Sequence, residues 1–368
     1  MDKTKVCLVV LVVLVSVSLV TVLSSGEEVE SPIRIDGDEE FADLADERGW
    51  DGNGSSADPW VIEGAVIDGS EHGYGVFIGN VTDHFVIRGC HFHNASQRME
   101  PYFENTGIYI YNSENGTIVD NFVVDNVWHN IYIVGSRNIN VSGNRIRGNL
   151  IRETVDHGVN VVDSENITLY DNEIGWHSGT GVGIEGSDDC EIDGNWFEEN
   201  SFGVYIESSS FNKVHNNVFL RNGWGVYIEK MDENEEEEYI HSEFNRIHHN
   251  DFVRNGHPAW DSYGIEGENQ WDDGETGNYW SDYRRLYPDA EEDDGIWDTP
   301  YHILGTGVED RSVDRYPVVE PMWYEEEGAD EPAGTHPVWW SVFGLIVLLI
   351  LLRAAFWVRE KLGVKVER

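Results

Sequence analysis

The chain has 368 residues, 38 of them Gly, and 12% aromatic side chains, enough for one repetitive domain and little else. Its 69 Asp and Glu against 24 Lys and Arg leave a formal charge of −45. Such a charge repels nucleic acid and anionic lipid and excludes both as partners. It suits a halophilic setting, where salt screens the self-repulsion, or a demand for divalent cations.

Residues 1–5 are short and basic, residues 6–23 are apolar, and Ser24-Ser25-Gly26 follows with small side chains. Residues 1–26 therefore read as a signal peptide or an N-terminal anchor. Residues 32–35 read as a strand and 38–48 as a short amphipathic helix burying Phe41, Leu44 and Ala45. A stacked fold needs its open end covered, so 32–59 is expected to be an N-terminal cap.

From Trp60 the sequence repeats, in a domain expected to span 60–273. The phrase Gly203-Val204-Tyr205-Ile206-Glu207 returns as Gly225-Val226-Tyr227-Ile228-Glu229, with relatives at Gly75, Gly107, Asn130, Gly158 and Gly181. Each is followed by an Asn two residues before a large apolar side chain, at Asn121, Asn144, Asn172, Asn195, Asn217 and Asn250. The base period is about 22–23 residues, with two insertions. Val204 and Ile206 alternate with Tyr205 and Glu207, so each phrase is a strand with one apolar face.

Short strands separated by Gly and Asn predict an all-β, right-handed parallel β-helix of about eight coils, from Trp60 to about Gly267. The recurrent Asn would stack inside a turn and hydrogen-bond along the axis. A leucine-rich repeat lacks its Leu framework here, and helical repeats fail because the period is 2. Long turns interrupt the coils at 95–105, 148–156, 231–242 and 257–263. Cys90 falls in the recurrent-Asn column and Cys190 at an inward strand position about four coils on. At the usual strand spacing they are some 20 Å apart, too far for a disulfide.

Residues 274–321 depart from the repeat, are rich in Trp, Tyr, Asp and Pro, and are expected to close the C-terminal end. Residues 322–337 form an acidic stalk. Residues 338–358 are long and apolar enough for a transmembrane helix, with Arg353 snorkelling, and 359–368 is a basic cytoplasmic tail. This predicts a cell-membrane protein with a single C-terminal span and its β-helix outside. Six glycosylation sequons, at Asn53, Asn80, Asn94, Asn115, Asn140 and Asn166, agree with export.

Particular phrases carry a family likeness. Ile33-Arg34-Ile35, Asp58-Pro59-Trp60-Val61-Ile62-Glu63-Gly64 and the coils resemble archaeal NosD-like proteins. So do Gly277-Asn278-Tyr279-Trp280-Ser281-Asp282-Tyr283, Asp294-Gly295-Ile296-Trp297-Asp298-Thr299-Pro300-Tyr301 and Asp314-Arg315-Tyr316-Pro317. The resemblance covers roughly 32–320. It implies a parallel β-helix of the carbohydrate-binding and sugar-hydrolysis superfamily, placed outside the cytoplasm, and it implies activity poorly. In relatives a calcium-type loop precedes Gly-Ile-x-Asp. The matching positions here are Ala290, Glu292, Asp294 and Asp298, and the Ala puts Ca2+ in doubt.

Aligning the coils turns the sequence into columns. The outward column reads Phe77, Tyr109, Tyr132, Asn160, Gly183, Tyr205 and Tyr227. Rings on a sheet face suit sugar rings, so Tyr109, Tyr132, Tyr205 and Tyr227 are the candidate ligand-binding residues, with Asn160 and Gly183 leaving a recess between the pairs. Two residues on stand Glu185, Glu207, Glu229 and Glu268, whose stacked carboxylates are the candidate catalytic groups of a polysaccharide hydrolase or lyase. A third column places Asp193, His215 and His248 on successive coils as candidate metal ligands. The resemblance attaches copper handling to it, since NosD itself is associated with copper-site maturation. Gly186-Ser187-Asp188-Asp189-Cys190 looks like a polygalacturonase element, but that family's other elements are absent and both Asp fall in a repeat turn.

The residues therefore favour a surface module binding glycan or envelope polymer along the aromatic face. A polysaccharide-active enzyme and NosD-like copper handling are the alternatives. Outward Arg, which enzymes of this architecture usually place beside their carboxylates, is scarce in the coils, with Arg145 and Arg147 the clearest pair.

Overall fold

In a computed structural model, residues 29–70, 72–96, 105–148, 155–229, 242–264, 268–305 and 312–324 are described. They build three long parallel sheets, the walls of a β-helix. The first sheet has ten strands, from Val29–Glu30 to Tyr279–Trp280. The second has nine, from Ile33–Asp36 to His257–Asp261, which is a strand rather than the long turn expected at 257–263, and the third eight, from Trp60–Glu63 to Arg246–His248. A coil visits the third, first and second sheets in turn, as in Glu191–Asp193, Trp196–Glu198 and Phe202–Glu207. The solenoid starts before Trp60, because Ile33–Asp36 already pairs in register with Tyr74–Gly79.

The register follows the alternation. Val204 and Ile206 pair with Val226 and Ile228, and all four are fully buried. The repeated Gly has a steric cause. A Cβ on Gly203 would stand 2.6 Å from both Phe219 Cδ1 and the Gly225 carbonyl oxygen. Gly181 meets Phe197 and Gly225 meets Phe252 in the same way. The Gly phrase and the Asn-x-Phe phrase are thus two halves of one contact, with the ring of the first sheet filling the space that Gly leaves in the second. Phe197, Phe219 and Phe252 stack at 4.9 Å down the axis.

The recurrent Asn does what the spacing predicts. In Asn121, Asn144, Asn172, Asn195, Asn217 and Asn250 the backbone N–H and the Nδ2 both donate to the Oδ1 of the next Asn, ending on Asn278. Cys90, in the same column, donates its N–H to Asn121. Further ladders were not foreseen. The hydroxyls of Ser113, Ser136, Ser164, Ser187, Ser209 and Ser242 each accept an N–H from the preceding coil. Asn200, Asn222 and Asn255 repeat the Asn pattern at the third corner. Each such bond contributes about 1 kcal/mol and leaves no buried turn amide without a partner at that rung. Cys190 is buried but stands just before its strand, at the head of a short ladder through Asn212, Asn245 and Asn269.

Both ends are covered. The helix Asp38–Arg48 buries Phe41 and Ala45, with Leu44 partly buried, and Phe41 packs on Trp50, Trp60 and Phe85. At the other end Trp280 extends the Phe stack, 4.4 Å from Phe252 and 4.1 Å from Tyr301. Asp314 closes the Asn ladder by accepting the N–H of Asn278 (2.7 Å) and Nε1–H of Trp280 (2.8 Å). A final strap is held by Asp251, which accepts the N–H groups of Met322, Trp323 and Tyr324. Tyr324 lies against an outer apolar patch of Val218, Leu220 and Val253.

Among the described residues no helix is long and apolar enough to cross a membrane. The segments 1–26 and 338–358, expected to be leader and span, and most of the stalk lie outside the described residues.

Candidate functional site

The outer face of the second sheet carries the column of rings, in the order the repeat predicts. Phe77, Tyr109, Tyr132, Asn160, Gly183, Tyr205 and Tyr227 are in register, and Trp260 continues them. Trp260 was missed because its coil lacks the Gly phrase. Tyr205 and Tyr227 stack at 5.8 Å and 13°, Tyr227 and Trp260 at 5.9 Å and 8°. Phe202 and Trp224, three residues earlier on their strands, stand edge-on to Tyr227. The result is a partly exposed aromatic wall whose rings brace one another along the axis.

The other end of the column differs from expectation. Phe77 and Tyr109 are 7% and 8% exposed, so Tyr109 is closed off rather than presented. Phe77, Tyr111 and Tyr132 pack around it with ring centroids 5.1 to 6.3 Å away. Tyr132 in turn lies on His129 at 4.4 Å, and His129 on His157 at 5.2 Å. Burial, with His129 and His177 nearby, pushes the His157 imidazole down to about 4. It is neutral near pH 7, and its Nδ1 accepts the Thr180 N–H.

The recess expected between the Tyr pairs is filled. Asn160 leans over Gly183 so far that a Cβ there would be 2.2 Å from its Oδ1. The Asn160 amide hydrogen-bonds Glu185 and favours its charged form. Its Oδ1 is buried with no partner among the described residues.

Three of the four carboxylates form the expected row. Glu185, Glu207 and Glu229 are in register and partly exposed. Burial, reinforced by Glu207, raises the Glu185 carboxyl above its ordinary range. The Tyr205 hydroxyl donates to Glu207 Oε2 (3.0 Å) and Glu229 Oε2 (3.3 Å), tying row to wall. Glu268 is not in the row. The strand His257–Asp261 is one residue shorter than its neighbours, and Glu268 sits in a left-handed turn (φ 50°) beyond it. Arg147 is no free cation either. It is 5% exposed, packed over Trp176 at 4.1 Å and paired with Glu173.

The third column also keeps its register, with Asp193 beside His215 and His215 beside His248. Its rings do not converge. His215 and His248 stack at 5.6 Å and 18°, and His215 is engaged by Glu191 (2.9 Å) and Asp193 (3.3 Å). Of the calcium-loop positions, Glu292 belongs to a hairpin strand and Asp294 to its left-handed turn. Asp298 Oδ1 accepts the Glu291 N–H and the Thr299 hydroxyl.

The sequence model of the family described as periplasmic copper-binding protein (NosD) matches residues 52–285, more than half of the chain. The chain belongs to the NosD family. Among solved structures this NosD protein is similar to the periplasmic alginate epimerase AlgG, at 20% identity and TM-score 0.45, over 54% of this chain and 46% of that one. It is also similar to DFA-IIIase from Arthrobacter chlorophenolicus A6 (17%, 0.39, 58% and 56%) and to alginate lyase from Paenibacillus sp. str. FPU-7 (11%, 0.41, 68% and 98%). The chain spans about half the length of the first two. No curated protein matches it.

The NosD family name raises copper, which takes imidazole, thiolate and thioether donors converging on one point. The buried Cys90 and Cys190 thiols are pushed up to about 11 and about 12 by desolvation, and both face backbone carbonyls. Among the described residues no group of three or more His, Cys, Asp or Glu is placed to hold a metal. The described residues of this NosD protein therefore do not fit a copper site.

Proposed function

We propose that this protein binds a saccharide chain laid along the outer face of its second sheet. The observation that carries the reading is the wall of Tyr205, Tyr227 and Trp260, partly exposed, braced and spaced by the coil repeat. Ring faces and edges offer apolar area to pyranose faces, and the Glu207 and Glu229 carboxylates accept sugar hydroxyls beside them. The row of carboxylates disfavours uronates and sulfated glycans unless a divalent ion bridges them. The second wall expected from Tyr109 and Tyr132 plays at most a partial role, because Tyr109 is buried.

The test is a glycan array with wild type and the double variant Tyr227→Ala, Trp260→Ala, run with and without calcium. Both rings stand outside the apolar core, so folding is retained and affinity for the best glycan falls by about 1 kcal/mol or more per ring. Equal binding by the double variant would reject the aromatic face. We further propose that residues 338–358 tether the β-helix outside the cell, motivated by their apolar run and the basic residues after it. Protease added to intact cells then removes the β-helix and spares the tail; a protected β-helix overturns this arrangement.

A further inference from the structure

A groove of about 510 Å³ lies away from the aromatic face, at the corner between the third and first sheets. That volume is in the range of small-ligand sites. Tyr170, Trp196 and Trp323 supply its aromatic lining, and Asp171, Asp193 and Asn216 part of its polar lining. No Lys, Arg or His lines it among the described residues.

We infer that this groove binds an amino sugar, its ring against the aromatic lining and its ammonium against the carboxylates. Trp323 is 52% exposed, yet its backbone N–H donates to Asp251 (2.6 Å) and its indole N–H to the His249 carbonyl (2.9 Å). The indole is thus fixed in place without being covered, as a binding surface requires. Tyr170 is 51% exposed at a strand end.

The charge of the groove selects the ligand. Glu173, which also lines it, is engaged by Arg145 and Arg147. Asp193 is oriented by Asn216, whose Nδ2 donates to it at 2.7 Å, and lies 3.3 Å from His215 Nδ1. Asp171 pairs with no cation among the described residues. An anion is repelled here, and a wholly apolar ligand would desolvate Asp171 with no partner to replace water. A metal ion needs converging carboxylates, and no three converge. An ammonium on a sugar ring satisfies both halves, through charge-assisted hydrogen bonds and cation–π contact. Nothing in this depends on the binding proposed for the second sheet.

The test uses the full chain in detergent micelles at high salt, titrated with glucosamine tetramer and with its N-acetylated counterpart. The free amine is expected to bind at least tenfold more tightly than the acetylated form. Trp323→Ala, Tyr170→Ala and Asp193→Asn should each weaken it at least fivefold, and Asp46→Asn, the same charge change on the N-terminal helix, should not. Should Trp323→Ala loosen the strap, the other two variants, which lie outside it, decide. Equal affinity for both tetramers, or undiminished binding by Tyr170→Ala and Asp193→Asn, overturns the assignment.

Discussion

Ile206→Asp is expected to unfold the middle of the solenoid. Ile206 is fully buried and stacked between Ile184 and Ile228, so the substitution puts a carboxylate into an apolar column. None of the ladders places a donor at that position. The cost of an unpaired buried charge, added to the lost packing of the Ile, comes to at least about 4 kcal/mol. Circular dichroism against urea should show the transition moved far down or absent, and the glycan-binding face lost with it. A variant that unfolds at the wild-type midpoint would mean that Ile206 is not inward and that the register is wrong.

The second large effect is on pH dependence. Asp314 is almost fully buried at the end of the Asn ladder, and desolvation raises its carboxyl to about 7 although three N–H donors oppose the rise. The folded chain therefore holds this proton more tightly than the unfolded chain, whose Asp titrates near 3.8. Folding is favoured by protonation across that window, so stability falls as pH rises from about 4 to about 7 and is flat above it. A three-unit shift corresponds to about 4 kcal/mol as an order of magnitude. Asp251, Asp261 and Glu185 are shifted the same way by burial and add to the slope. Melting temperatures measured from pH 5 to 8 should fall for wild type and fall much less for Asp314→Asn, whose amide stays uncharged. Identical slopes for the two proteins would show that the Asp314 proton is not held by the fold.

Much of this architecture is written in the residues. The Gly phrase and the Asn phrase each recur at the coil period, and alternation around Val204 and Ile206 assigns inside and outside. The aromatic, Glu and His columns follow from the same alignment, and the helix 38–48 from its own amphipathic pattern. Other features are invisible for physical reasons. Ser at positions such as 136 and 164 is an ordinary turn residue, so its recurrence does not reveal that its hydroxyl faces inward to accept an N–H. Tyr109 reads as outward, which it is, but its closure depends on Tyr111 of its own strand and on rings from the two strands beside it. The patch of Val218, Leu220 and Val253 looks like an oddity of the outer face until the strap, some 70 residues later in the chain, lies beside it.

The ladders also bear on how such a chain changes length in evolution. Ser187 to Ser209, Asn195 to Asn217, Asn200 to Asn222 and Gly203 to Gly225 are all one interval of 22 residues. Loss of residues 201–222 joins Asn200 to Gly223 and leaves every rung with an equivalent partner. Loss of one residue from the same stretch puts the rungs after it out of step and turns an apolar face outward. Divergence in length is thus quantised in whole coils, with smaller insertions tolerated only at the corners between strands, as between His91–His93 and Thr106–Tyr111. A gene of this kind lengthens or shortens its protein, and the run of rings along it, by duplicating or dropping units rather than by drift.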